Sequence, residues 1–115
     1  MGWIGVDLDA TLAEYQMGQQ GLIGPPIRLM YLRVKKWLAD GEDVRIFTAR
    51  ASLNSYAGDK IELEKQLALI EQWCLDHFGQ VLPITCEKDF YTHEIWDDRA
   101  IQVIPNTGKR ADGNL

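Results

Sequence analysis

Asp7 and Asp9 stand two residues apart, directly after the apolar run Trp3-Ile4-Gly5-Val6 and before Ala10 and Thr11. Two like charges at the mouth of a buried strand are costly to desolvate. A cation between them, or a reaction that uses them, removes that cost. The plain alternative is an acidic strand-to-loop turn whose side chains are solvated. Further along, Thr48 and Arg50 follow the apolar run from Val44, Lys88 follows the run ending at Thr85, and Asp97-Asp98 follow Trp96. Carboxylates gathered with a hydroxyl, an ammonium and a guanidinium suit chemistry on an anion. A carboxylate is repelled by a phosphate dianion, so a nucleophilic Asp needs positive charge beside it. Positioning and charge neutralisation are the expected route to phosphoryl transfer.

Such residues act together only if the fold brings strand ends to one edge. Residues 3–7 have the pattern of a short buried strand. Residues 10–26, with Gly18, Gly21, Gly24, Pro25 and Pro26, suit a flap or hairpin-like excursion. From about Pro26 to Asp40, Ile27, Met30, Tyr31, Val34, Trp37 and Leu38 recur at helical spacing, and Gly41 supplies a stop. A strand over 44–48 and a polar loop over 49–58 follow. A second helix is expected over 59–78, with the stripe Leu63, Leu67, Ile70, Cys74 and His77, ended by Gly79. Further strands are expected at 81–85, 93–96 and 101–104, with a polar, fraying tail after Pro105. The order β-α-β-α-β-β-β predicts an α/β fold on a mostly parallel sheet with right-handed crossovers. In such sheets the crevice lies beyond the carboxyl ends of the strands, where Asp7, Asp9, Thr48, Arg50, Lys88, Asp97 and Asp98 all fall.

The chain of 115 residues fits one domain spanning 1–115. There is no apolar run long enough for a membrane span and no secretory signal pattern, so a cytoplasmic protein is expected. Cys74 and Cys86 match no CxxC spacing and are expected to be buried free thiols. A net charge of -5 and a pI near 4.9 argue against a strong sequence-independent grip on a nucleic-acid backbone. The same acidity suits a protein that concentrates carboxylates around a divalent cation.

Taken in order, these motifs resemble those of the haloacid dehalogenase-like (HAD) phosphohydrolase superfamily. Asp7, Asp9 and Thr11 match its Asp-x-Asp-x-Thr/Val motif after an apolar strand. Thr48 matches its strand-ending hydroxyl, Lys88 its lysine, and Asp97-Asp98 its late acidic pair. The four motifs span residues 3–98. Many members carry Gly where this chain has Ala10, and the chain has no room for a cap domain. The resemblance implies a three-layer Rossmannoid sheet of five short strands flanked by helices. It implies Asp7 as nucleophile, forming an aspartyl-phosphate, and Asp9 as general acid and then base. Mg²⁺ would be held by the Asp7 carboxylate, the Asp9 backbone carbonyl and Asp97 or Asp98. Thr48 would bond a phosphoryl oxygen, and Lys88 would neutralise charge on the nucleophile and the phosphoryl group. Thr48-Ala49-Arg50 and Asp97-Asp98-Arg99 are similar to segments of polynucleotide phosphatases in the superfamily. By that likeness Arg50 holds a substrate phosphate; the alternative is a surface arginine or an ion pair with a motif acid.

The expected activity is therefore Mg²⁺-dependent phosphomonoester hydrolysis. Its substrates are expected among phosphorylated small molecules, nucleotides or 3′-phosphorylated nucleic-acid ends that reach an open cleft, unless a homodimer partner covers it. A phospho-accepting receiver domain gathers similar residues, but its acidic pair comes first. A catalytically idle binding module is weakened because no motif residue is missing. His77 and the tryptophans Trp37 and Trp73 fit core faces, Trp96 packing below the acidic pair, and Tyr15 lies in the flap where it can touch substrate.

Overall fold

Four consecutive buried residues make Trp3–Val6 the strand β1 in a computed structural model that describes residues 2–16 and 21–114. The flap's Met17, Gly18, Gln19 and Gln20 lie outside the described residues. Helix α1 (Arg28–Ala39), strand β2 (Asp43–Phe47), helix α2 (Lys60–Phe78), β3 (Ile84–Thr85) and β4 (Thr92–Trp96) follow. All ladders are parallel, in the order β3-β2-β1-β4. β1 is interior, which is why it is buried along its whole length. No helix of the described residues is long and apolar enough to cross a membrane.

Ile4, Val6, Val44 and Ile46 occupy one sheet face and pack with Met30 and Val34 of α1 and with Ile70, Trp73 and Cys74 of α2. Both helices lie on this face because β1, β2 and β3 advance in one direction across the sheet, so each right-handed crossover turns the same way. Trp3, Arg45 and Phe47 alternate onto the opposite face, with Arg45 stacked over the Trp3 ring at 4.8 Å. Residues 86–91 link β3 to β4 across that side, and Asp89 accepts from Trp3 Nε1 at 3.0 Å. A link this short cannot contain a crossover helix. No helical third layer is formed among the described residues.

Two strand expectations are corrected. β3 covers only Ile84–Thr85, because Pro83 has no N–H for the ladder; its carbonyl accepts from Ile46 N at 2.8 Å. The fifth strand expected at 101–104 does not join the sheet, which has four strands among the described residues. Instead Val103 bridges Arg110, with Ile104 N donating to Lys109 and Ala111 N to Gln102, each at 2.8 Å. The tail after Pro105 folds back and takes the pairing that the sheet edge would have had.

The helices match their periodicities with shifted ends. α2 is capped by Asp59, whose carboxylate accepts from Ile61 N and Glu62 N, and stops at Gly79 with φ 73°. Pro26 lies outside α1 and bridges Ala13, forming the stem of the hairpin-like excursion. Glu14 N donates to Pro25 and Ile27 N to Leu12 across that stem. Gly24 is required there, since a Cβ would overlap the Glu14 carbonyl, and its own carbonyl accepts from Trp73 Nε1 at 2.9 Å. Gly24→Ala is expected to cost about 1–3 kcal/mol by overpacking, measured as a lowered urea midpoint. An unchanged midpoint would mean that the stem does not pack this closely. Both cysteines are free, Cys74 buried and Cys86 half-buried, so only the first is the fully buried thiol expected.

Candidate active site at the carboxyl edge of the sheet

The parallel register decides which side chains meet. Val6 pairs with Trp96 and with Ile46, so the residues after β1, β4 and β2 emerge together. Asp7 N donates to the Trp96 carbonyl at 2.9 Å and thereby sits beside the acidic pair. The carboxylates of Asp7, Asp97 and Asp98 offer oxygens that all lie within 4.8 Å of one another. Oxygens on opposite sides of a Mg²⁺ stand about 4.2 Å apart, twice the metal–oxygen distance. Three oxygens on one such ion cannot all lie opposite one another, so the triad would have to close further to share it.

Each acid has its own support. Thr11 Oγ1 donates to Asp98 at 3.0 Å and accepts from Asp98 N at 3.1 Å. Asp97 accepts from Arg99 N at 2.7 Å. Burial, a hydrogen bond to Asp98 and the charge of Asp97 push Asp7 up from 3.8 to about 7. Burial also acts to raise Asp98, but its bonds to Thr11 and Asp7 outweigh this and hold it below the ordinary value. Below about pH 7 Asp7 therefore keeps a proton, which it can donate to the Asp98 carboxylate. A cation in this place would discharge the same repulsion, so the donor set fits a hard divalent ion.

The turn after β1 is fixed from below. The Leu8 carbonyl accepts from the N–H groups of Thr11, Leu12 and Ala13, while Leu8, Leu12 and Ala13 are fully buried. Ala10 takes φ 67°, a conformation that costs a side-chain-bearing residue about 1–2 kcal/mol.

Thr48 is buried and caps the 3₁₀ turn Ala49–Ala51, its Oγ1 accepting from Arg50 N at 3.1 Å. That bond leaves the hydroxyl proton available, and Thr48 lines the cleft with Asp7, Asp9, Tyr15, Asp98 and Arg99. The cleft holds about 550 Å³. Thr48→Val should cost about 1 kcal/mol through the lost cap, read as a lower thermal midpoint. A midpoint equal to wild type would show that the cap carries no stability. The expected polar loop over 49–58 contains a second 3₁₀ turn, Leu53–Tyr56.

Arg50 forms the ion pair weighed against substrate binding. Its Nε and Nη2 reach the two oxygens of Asp9 at 2.7 and 2.9 Å. Nη1 donates to Gln66 Oε1 at 2.9 Å and to the Gly21 carbonyl, and Nη2 also reaches the Leu22 carbonyl at 3.1 Å. Sequence inspection missed Gln66. It is a buried polar residue four places before Ile70 on the α2 stripe, and that anomaly was its signal.

Lys88 does not line the cleft that holds Asp7. It is exposed and lines a separate, larger concavity of about 1130 Å³ along β4, which includes Asp97 but neither Asp7 nor Thr48. Reciprocal bonds between Thr85 and Glu87 turn the chain around Cys86, which still lines the cleft. Among the cations that line the cleft, Arg50 is spent on Asp9, which leaves the exposed Arg99. His77, assigned no chemistry, stacks on Trp73 at 4.6 Å, and Trp96 packs on Trp37 at 5.2 Å. No protein-family model matches this chain, and no curated protein or solved structure matches it.

Proposed function

We propose that this chain is a Mg²⁺-dependent phosphomonoesterase of the capless, Rossmannoid HAD-like kind, working through Asp7. The convergence of Asp7, Asp97 and Asp98 at one sheet edge, facing the Thr48 hydroxyl, carries this reading. Asp7, Asp97 or Asp98 and the Asp9 carbonyl would hold the ion. The bound ion would supply positive charge to the nucleophile and to the phosphoryl oxygens.

The protein's residues then divide the work. Ionised Asp7 attacks phosphorus, and the bond from phosphorus to the leaving oxygen breaks. Asp9 gives that oxygen a proton, later takes one from water, and the water displaces phosphate from Asp7. Thr48 donates its free hydroxyl proton to a phosphoryl oxygen. Arg99 takes the charge-neutralising place that the resemblance gave to Lys88. An open cleft with the half-exposed Tyr15 ring at its lining suits nucleotides or 3′-phosphate ends. The cytoplasm, where Mg²⁺ and phosphorylated metabolites abound, is the proposed compartment.

A second reading, an idle HAD-like binding module, is favoured by one observation: both Asp9 oxygens are already bonded to Arg50. Turnover of a generic aryl phosphate with and without Mg²⁺ separates the two. Mg²⁺-dependent turnover supports the enzyme. Background signal in every sample would leave the binding module.

A further inference from the structure

We propose that Arg50 and Gln66 are positioning residues that aim the Asp9 carboxyl at the leaving group. The assignment rests on the phosphatase reading and adds how its acid is held. Arg50 has five N–H donors, and the structure gives it five acceptors: both Asp9 oxygens, the Gly21 and Leu22 carbonyls, and Gln66 Oε1. No donor remains for a substrate phosphate. The guanidinium is a fork with fixed angles, so these acceptors determine where Asp9 stands.

The fork is itself held at both ends of its residue. The Arg50 N–H donates to Thr48 Oγ1, and the Arg50 carbonyl accepts from Tyr56 Oη at 2.7 Å. Gln66 is buried and is fixed within α2 by its own amide, which donates to Glu62 Oε1 at 3.1 Å. α2 and the excursion before α1 thus converge on one guanidinium, carried by the turn after β2, and that guanidinium grips the Asp9 carboxylate. Asp9 is one-quarter exposed beside the part-buried guanidinium, so its carboxyl still borders the cleft.

The chemistry gives a specific signature. As the Asp7–phosphorus bond forms, the phosphorus–oxygen bond to the leaving group breaks, and that oxygen takes the Asp9 proton. An alkyl leaving group needs this proton to depart as an alcohol. A nitrophenyl group leaves as a stabilised phenolate without it. Mispositioning Asp9 should therefore slow alkyl esters selectively, whereas a phosphate-binding or merely structural arginine would affect both.

The experiment compares p-nitrophenyl phosphate with glycerol phosphate in Mg²⁺, for wild type, Arg50→Lys and Gln66→Ala. General acid catalysis is worth about 10²–10⁴-fold. Arg50→Lys should lower kcat for glycerol phosphate about 100-fold and for the nitrophenyl ester less than about 5-fold, with KM little changed. Gln66→Ala should show the same selectivity at about 10-fold, and it serves if circular dichroism shows Arg50→Lys unfolded. Equal losses on the two esters, or a loss confined to KM, would overturn the assignment. Wild-type turnover of neither ester would overturn the phosphatase reading and the assignment with it.

Discussion

Asp7→Asn will abolish turnover and, without divalent cations, make the folded protein more stable at about pH 8, where the wild-type carboxyl is ionised. The two effects share one cause. Asp7 lies half-buried against Asp98 and Asp97, and its carboxyl is raised to about 7. Its negative charge is what a nucleophile needs and what the cation-free fold tolerates least. The Asn amide donates to Asp98 as the protonated acid does, with no charge to desolvate. It cannot form an acyl phosphate, so kcat should fall about 10³-fold or more. The stability gain is expected at about 1–2 kcal/mol, since solvent screens much of the full conversion of the shift. Urea unfolding in EDTA measures it. A variant no more stable than wild type at that pH would mean that the triad is not under electrostatic strain.

The sequence carried the placement of the acids better than the placement of the cations. β1 is apolar over its whole length, and a parallel sheet fixes where its end must lie; Asp7, Thr48, Asp97 and Asp98 follow from that geometry alone. Both helices were legible because Met30, Val34, Ile70 and Cys74 recur at the helical period. Lys88 was not, because its position depends on a side-chain turn at Thr85 and Glu87 rather than on any periodic pattern. Arg50 was seen, but its partners lie in an aperiodic segment and on a helix 16 residues away, so spacing could not choose between phosphate and Asp9. The alternation at Ile101–Ile104 is strand-like, yet pairing is decided by competition, and the tail from Lys109 to Ala111 was the closer partner. Patterns of apolar residues specify what is buried; they say little about which polar groups find each other.

The same strain predicts how stability responds to pH and to Mg²⁺. Between the ordinary value of 3.8 and about 7, the native chain keeps a proton on Asp7 that the unfolded chain has released. The unfolded state then binds fewer protons, so stability falls as pH rises through that window and levels off above it. Asp89, Asp98 and Asp112 are shifted downward, and their contribution is present above the ordinary carboxylate value and lost as pH falls below it. They therefore do not oppose the Asp7 slope between about pH 5 and pH 7. On the proposed function, Mg²⁺ would bind the ionised triad and not the dispersed unfolded acids. Saturating Mg²⁺ at about 100 times its dissociation constant should add about 2.7 kcal/mol above pH 7 and remove the decline. Calcium-free urea titrations at several pH values, with EDTA or Mg²⁺, give the two curves. In Asp7→Asn both the decline and most of the Mg²⁺ response should vanish. A wild-type curve that rises across this range in EDTA, or that ignores Mg²⁺, would show that these three carboxylates are not the cation site.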